Sequence, residues 1–385
     1  MATPFLLRVL EEPRYGWAAK PSTREICREW FFRLNIFRSR AAWLPIAGWF
    51  WTLCLFPFGV VFLTRYFSWW LMLAGFLYAM VWIGTHGTMY LHRFSTHRAF
   101  KVRNGLALLI LRNLTPKIVP EEVYVVSHHV HHALSDKAGD PYNATNGFLY
   151  CFLAGELHQP IRRDLTEKDY DHVCQLVRHT GMRCNSYEQY QRWGSIAHPA
   201  RLIAHYLINW AFWYAAFYAM GGHALATALF GWSAMWAVGI RTHNYDLHAF
   251  GKDRRQDGVD FDRGSLAVNA IWPGFVAGEW HNNHHLFPQS VRAGFLWWQP
   301  DISFTCIRIF RLLGGVTEWR DFKPKFFERH YRPYLAARGN ELVPSPQAEG
   351  QRQAIGRLAN FQRSDERRAM SGADDDLVSE RQAQT

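Results

Sequence analysis

Charge is missing from this chain in long blocks. No Lys, Arg, Asp or Glu occurs between Arg40 and Arg65, between Arg65 and Arg93, or between Arg201 and Arg241. The gaps are 24, 27 and 39 residues long. About 20 apolar residues span a bilayer, and a soluble core helix rarely runs this long uncharged. An ordinary soluble domain is therefore excluded, although the mean hydropathy of −0.20 taken alone suggests one. Cysteine is scarce: the six residues show no CxxC spacing, which argues against a disulfide or zinc–thiolate framework. HExxH is absent, which counts against a zinc protease. No nicotinamide or flavin fingerprint occurs, and no HPGG haem motif; the stretch from His198 through Pro199 to Arg201 is not one. Electrons for any redox chemistry must come from a separate protein. There is no internal repeat, and the first apolar stretch is too long for a cleavable signal.

The two shorter gaps each hold one membrane helix, expected at 41–64 and 67–92. The longest is interrupted by Gly221 and Gly222 and reads as two helices, 199–220 and 223–243, joined by a tight turn. Of 43 Lys and Arg, eight lie in residues 1–40, thirteen between Arg93 and Arg192, and nineteen after Asn244. Only Arg65 falls in an outer loop. The positive-inside rule then places both termini and the middle segment in the cytoplasm. The expected architecture is all-α and integral to the membrane, with four spanning helices in two hairpins under a cytoplasmic helical cap. Residues 1–40 form an interfacial entry segment, 41–335 the membrane domain, and 336–385 a polar, disordered tail. The apolar stretches 104–111 and 264–280 are too short or too broken to span and fit interfacial helices. The net charge of +11 suits anionic lipid headgroups or an acidic partner, not nucleic acid in this setting.

Histidine is abundant where charge is not. Its clusters are His92 with His97, then His128, His131 and His132, then His281, His284 and His285, all beside the apolar blocks. His248 follows the last block, four residues after Asn244. Spacing of i, i+3, i+4 puts imidazoles on one helix face, and neutral imidazole is the commonest metal ligand. Any one cluster is weak, because ten of the 19 histidines lie outside this set. Together, on one side of the membrane, they point to a polyhistidine metal centre. Nine ligands exceed one metal and divide over two. A metal pair facing hydrocarbon has no obvious hydrolytic substrate, so oxygen activation by iron is the chemistry that fits. Asp136, Asp140 and Glu279 are placed to accept the second N–H of ligating imidazoles.

The motifs LHRFSTHRAF, SHHVHH with DPYN, NYDLHAFG and HNNHHLFP, threaded through two helix pairs, resemble the membrane fatty-acyl desaturases. Within that family they look most like the acyl-CoA Δ9 (stearoyl-CoA type) branch. The likeness covers roughly residues 40–300. It implies a mushroom-shaped helical fold, a di-iron centre, molecular oxygen as co-substrate and a fatty-acyl chain, carried on CoA or a lipid. It also implies two electrons from a ferredoxin or cytochrome b5 type donor. The implied iron ligands are His92, His97, His128, His131, His132, His248, His281, His284 and His285, with Asn244 acting through water; no catalytic group beyond the metal centre is implied. Two positions depart from the family pattern. His129 stands where Arg is frequent, and Gly278-Glu-Trp-His281 is one residue shorter than the usual approach to the last cluster. A hydroxylase on the same scaffold and a non-catalytic membrane metal handler are the competing readings. The short outer loops and lack of a fused b5 domain suit a bacterial inner membrane.

Overall fold

The computed structural model describes residues 5–248 and 280–336. Its internal contacts divide the chain into residues 1–323 and 324–385. The sequence stretch 264–279, Glu279 and the tail after residue 336 lie outside the described residues.

The first unit is mainly helical, and local sequence explains where its helices begin. Helix α1 (Thr23–Arg33) opens on a reciprocal cap, in which the Ser22 side chain accepts from the Glu25 amide and the Glu25 carboxylate accepts from the Ser22 amide. Helix α2 (Trp43–Arg65) carries Pro57 inside it. Its outer face shows Phe50, Leu53, Val60 and Leu63. Helix α3 runs from Trp69 to Thr96 and widens into π-helical turns over Tyr78–Ile83 and Thr88–Thr96. Strand β1 (Phe100–Val102) follows, then α4 (Gly105–Arg112), capped by the Asn104 side chain at the Ala107 amide. Helix α5 (Glu121–Leu134) starts after Pro120 with two acids in its first turn, where the helix dipole favours them. Helix α6 spans Glu167–Val177.

Helix α7 (Pro199–Gly239) is broken at Gly221 (φ −159°, ψ 24°) and Gly222 (φ 66°, ψ −165°). A straight helix would separate Trp210 from Phe230 by about 30 Å, yet their rings lie 5.7 Å apart. The chain therefore folds back on itself at the two glycines. Gly222 occupies the positive-φ region, which glycine enters without steric cost. A short helix, His243–Leu247, prolongs the second arm.

Among the described residues, three helical stretches, Arg40–Arg65, Trp69–Thr96 and Pro199–Leu247, are long and apolar enough to cross a membrane. They pack on small residues. A Cβ added at Gly231 would lie 2.5 Å from the Gly59 Cα, and one at Gly75 would lie 2.1 Å from the Trp232 ring. Such close backbone approach is how membrane helices gain van der Waals contact where the hydrophobic effect is absent. Their outward faces carry Trp69, Trp70, Ile208 and Met220, at 75, 80, 70 and 75 % exposure. An apolar surface of this extent calls for lipid rather than water.

The remaining elements lie beyond these helices. Helix α8 (His281–Leu286) and helix α9 (Ile302–Leu312) precede strand β2 (Val316–Trp319), which pairs antiparallel with β1, Phe100 opposite Trp319. This ribbon departs from the all-α expectation. It ties the end of α3 to the segment after α9, since Ala99 accepts from the Arg320 amide at 2.9 Å.

Candidate metal centre

The π-helical end of α3 explains the first histidine pair. In an α-helix, residues five apart point in different directions. In a π turn the hydrogen bond runs from i to i+5, and the His97 amide bonds the His92 carbonyl at 3.1 Å. The two rings come to 5.0 Å. The turn is held from outside by Arg93. Its guanidinium reaches Asp301 at 2.9 Å and the Val291 carbonyl at 2.8 Å, and both charged groups are buried. Asp301 also caps α9 at the Phe304 amide and accepts from Ala293. Helix α5 supplies His128, His131 and His132 from one face, as their spacing requires. Helix α8 supplies His281, His284 and His285, and His248 follows the short helix after α7.

The nine histidines converge into two sets of ring nitrogens. His92, His97, His128, His132 and His284 form one, and His131, His248, His281 and His285 the other; within each set the nitrogens lie within 4.8 Å of one another. Neighbours in sequence part company, with His131 and His132 in different sets, and likewise His284 and His285. The sets are adjacent, the His132 and His285 rings being 4.5 Å apart.

The nitrogen spacings fit a metal. Nε2 of His284 lies 2.8 Å from Nε2 of His92 and 3.0 Å from Nε2 of His132. Nε2 of His281 lies 3.1 Å from Nε2 of His248 and 3.0 Å from Nε2 of His285. Two nitrogens each bound at about 2.1 Å and at right angles around one ion would be about 3 Å apart. Hydrogen bonding alone serves these contacts poorly, because a neutral ring has one N–H and a single Nε2 here meets two others. The Nε2 atoms of His97 and His131 are buried and meet no hydrogen-bond partner. One cation in each set, accepting that set's lone pairs, would satisfy all of these atoms.

Burial and the neighbouring rings push the imidazoles of His97, His128, His132, His281, His284 and His285 well below their usual pKa, and burial lowers that of His248 despite Asp136 beside it. Each of these rings is thus neutral near pH 7, with a lone pair free for coordination. Carboxylates orient two of the rings. His131 Nδ1 lies 2.9 Å from Asp140 and His248 Nδ1 lies 3.0 Å from Asp136. A carboxylate at Nδ1 leaves Nε2 as the donor to a metal.

Among the described residues, three other than glycine have positive φ: Arg98 at 50°, Asp136 at 58° and Trp280 at 58°. All three abut the site, Arg98 after His97, Trp280 before His281, and Asp136 against His248. Such backbone is sparsely populated and costs of order 1–3 kcal/mol each, so the surrounding packing must impose it. His129 joins neither set. Its Nε2 is buried without a hydrogen-bond partner, and burial lowers its pKa to about 4. Sequence reasoning missed Arg93, Asp301 and Tyr124, whose ring stacks on His128 at 5.2 Å. A lone Arg after His92 at the end of an uncharged block was the available signal for the first.

An apolar cavity runs to the first set. It lies between α2, α3, α5 and α7, has a volume of about 140 Å³, and is lined by Leu44, Leu91, Ile118, Val123, Trp236 and Ala237. His128 and Asn244 both face it.

Fold and site together define a helical membrane protein with two buried imidazole clusters at the foot of an apolar cavity. The family model for fatty acid desaturases matches residues 67–299. The chain belongs to that family and is an oxidoreductase, a fatty-acyl desaturase. It is 28 % identical over 269 residues to the sn-1 stearoyl-lipid 9-desaturase of Anabaena variabilis, covering 66 % of this chain and 86 % of that one. It is 29 % identical over 261 residues to delta-9 acyl-lipid desaturase 2 of Arabidopsis thaliana, covering 66 and 76 %. An acyl-CoA 5-desaturase of Anemone leveillei is 28 % identical over 259 residues, covering 66 and 72 %.

Proposed function

We propose that this protein introduces a double bond at the Δ9 position of a fatty-acyl chain carried on a lipid or CoA, at a di-iron centre. The carrying observation is the partition of nine imidazoles, seven of them buried and two half-buried, into sets of five and four beside an apolar cavity. The Δ9 position rests on the relatives named stearoyl-lipid 9- and delta-9 acyl-lipid desaturases. In this reading His92, His97, His128, His132 and His284 hold one iron. His131, His248, His281 and His285 hold the other, and Asn244 acts through a water. The iron pair supplies the oxygen-dependent oxidation that takes two hydrogens from adjacent methylenes. The overall reaction converts CH2–CH2 to CH=CH and reduces one O2 to two waters, using two electrons and two protons from outside. A separate ferredoxin or cytochrome b5 type protein delivers the electrons.

The chain's own groups set the conditions for that chemistry. The cavity walls exclude water from the reacting carbons. Trp236, Leu91 and Val123 hold the acyl chain extended, and rigid placement selects the methylene that reacts. Asp136 and Asp140 keep the Nδ1 protons of His248 and His131 in place. The two arms of α7 together with α2 and α3 make four spans. The remaining helices form a cap on the cytoplasmic side, where both termini lie, in a bacterial inner membrane.

The test is mass spectrometry of total fatty acids from a host lacking its own desaturase, supplied with a redox system, with and without this chain. New acyl species two hydrogens lighter, with the double bond placed at C9, support the reading. Species one oxygen heavier assign a hydroxylase instead. An unchanged profile with iron bound and a competent donor rules out common acyl chains as substrate.

A further inference from the structure

A second cavity shares a wall with the apolar one. Val119 and Pro120 line both. The second lies between the end of α4, the 181–183 loop and the first turns of α7. Its basic lining is Arg112, Lys117, Arg183, Arg201, His198 and His205, against Glu121 and Glu122.

Neither carboxylate neutralises the rest. Glu121 is engaged by Arg112 at 2.7 and 3.1 Å and by Lys117 at 3.5 Å. Glu122 is turned toward the Ile196 and Ala197 amides, at 2.6 and 2.8 Å, and burial raises its pKa to about 7. Among the described residues, Arg201 meets only the neutral Asn185 side chain, at 2.8 Å. Arg183 is exposed and makes no ion pair among the described residues. Four cationic side chains thus face the Glu121 carboxylate and a Glu122 whose pKa burial raises to about 7. A recess with such an excess concentrates anions.

Position narrows the anion. The uncharged part of α7 begins at Leu202, directly beside the cavity. Leu106, Leu109 and Ile110 of α4 are exposed on the element that forms another wall. The recess therefore sits where apolar surface ends, at the depth of lipid headgroups, one residue layer from the acyl cavity. Arginine's planar fork matches the oxygens of a phosphate better than a lysine point charge does.

We propose that this basic cleft is a phosphate site that holds the headgroup phosphate of an amphiphile while its chain lies in or beside the apolar cavity. Identifying that amphiphile as the acyl substrate rests on the function proposed above; the phosphate site itself does not. A phosphodiester lipid and coenzyme A share the chemistry, and the experiment separates them.

The test is binding to the purified full chain in detergent, without reductant, read by native mass spectrometry. The probes are phosphatidylglycerol, coenzyme A, and a neutral galactolipid with the same acyl chains. The variants are Arg183→Gln and Arg183→Gln/Arg201→Gln, with Arg183→Lys as the charge-keeping control. Arg183 is exposed and forms no ion pair among the described residues, so the single variant keeps the fold, and thermal unfolding verifies it. We expect the double variant to bind phosphatidylglycerol or coenzyme A roughly five- to tenfold more weakly. The Arg183→Lys control should bind these probes more tightly than Arg183→Gln does, and galactolipid binding should stay unchanged. Phosphatidylglycerol alone responding assigns a lipid headgroup, coenzyme A alone a thioester carrier, and both a general phosphate site. Equal binding of all probes to wild type and variants overturns the proposal. So does unchanged phosphate binding with lost affinity for an acidic redox protein, which would make the cleft a donor dock. Because no turnover is involved, failure of the desaturase reading would appear in the fatty-acid profile and leave this result standing.

Discussion

The Nδ1 atom of His131 lies 2.9 Å from a carboxylate oxygen of Asp140, and neither side chain reaches solvent. The same carboxylate accepts from the Asp136 amide at 2.7 Å, and Asp136 in turn meets His248 at 3.0 Å. One loop after α5 thus orients two of the four rings in the smaller set. Replacing Asp140 with Asn keeps the shape and removes the charge. Loss of such a partner weakens metal binding about 10- to 100-fold. Iron retained against a graded chelator series should show that loss in Asp140→Asn. Retention equal to wild type would make the carboxylate a bystander.

The two nitrogen sets make metal stoichiometry divisible. His285→Ala removes a ligand from the set of four, and His97→Ala from the set of five. Each variant should hold about one iron per chain where the wild type holds two. Elemental analysis of the purified proteins decides it, and two irons retained in both variants would contradict the assignment.

Gly231 meets Gly59 backbone to backbone, and an added Cβ would stand 2.5 Å from the Gly59 Cα. Backbone on both sides leaves nothing flexible to yield. Gly231→Ala should force α2 and α7 apart and lower stability by about 1–3 kcal/mol. Thermal unfolding in detergent reads this out, and an unchanged midpoint would show that the helices are free to separate at that point.

Glu122 gives a pH dependence of defined sign. Burial raises its pKa to about 7 in the fold, from an ordinary carboxylate value near 4.5 when unfolded. Between those two values the folded chain binds more protons than the unfolded one. Its contribution is therefore fully present below pH of about 4.5, declines as pH rises through the window, and levels off above about 7. Hydrogen exchange at the Ile196 and Ala197 amides, corrected for the intrinsic rate, should report weaker protection at pH 8 than at pH 5. In Glu122→Gln that pH slope should flatten. A slope that persists unchanged in the variant would assign it to another group.

Much of this arrangement was legible in the chain, and the reasons are local. Uncharged blocks marked the long helices within a few residues, because hydrocarbon tolerates no charge along a span. The pair Gly221 and Gly222 marked the fold-back, because only glycine takes φ 66° freely. The i, i+3, i+4 spacing put His128, His131 and His132 on one face. The partition into sets of five and four was not legible, because it depends on how α5 and α8 face each other. The π-helical end of α3 was hidden too, since its wide turns answer to Arg93 and Asp301, 208 positions apart. The ribbon of β1 and β2 escaped notice because its strands are only three and four residues long.

His131 and His132 serve different sets, and so do His284 and His285. Neither set is complete without α8, which begins at His281 in a chain of 385 residues. A ribosome must therefore finish all three long apolar helices of the described residues before either set has its last donor. Before α8 emerges, the set of four has only His131 and His248, and the set of five still lacks His284. The order of synthesis thereby makes metal capture a late event, postponed until the helices that wall off the site are already in place.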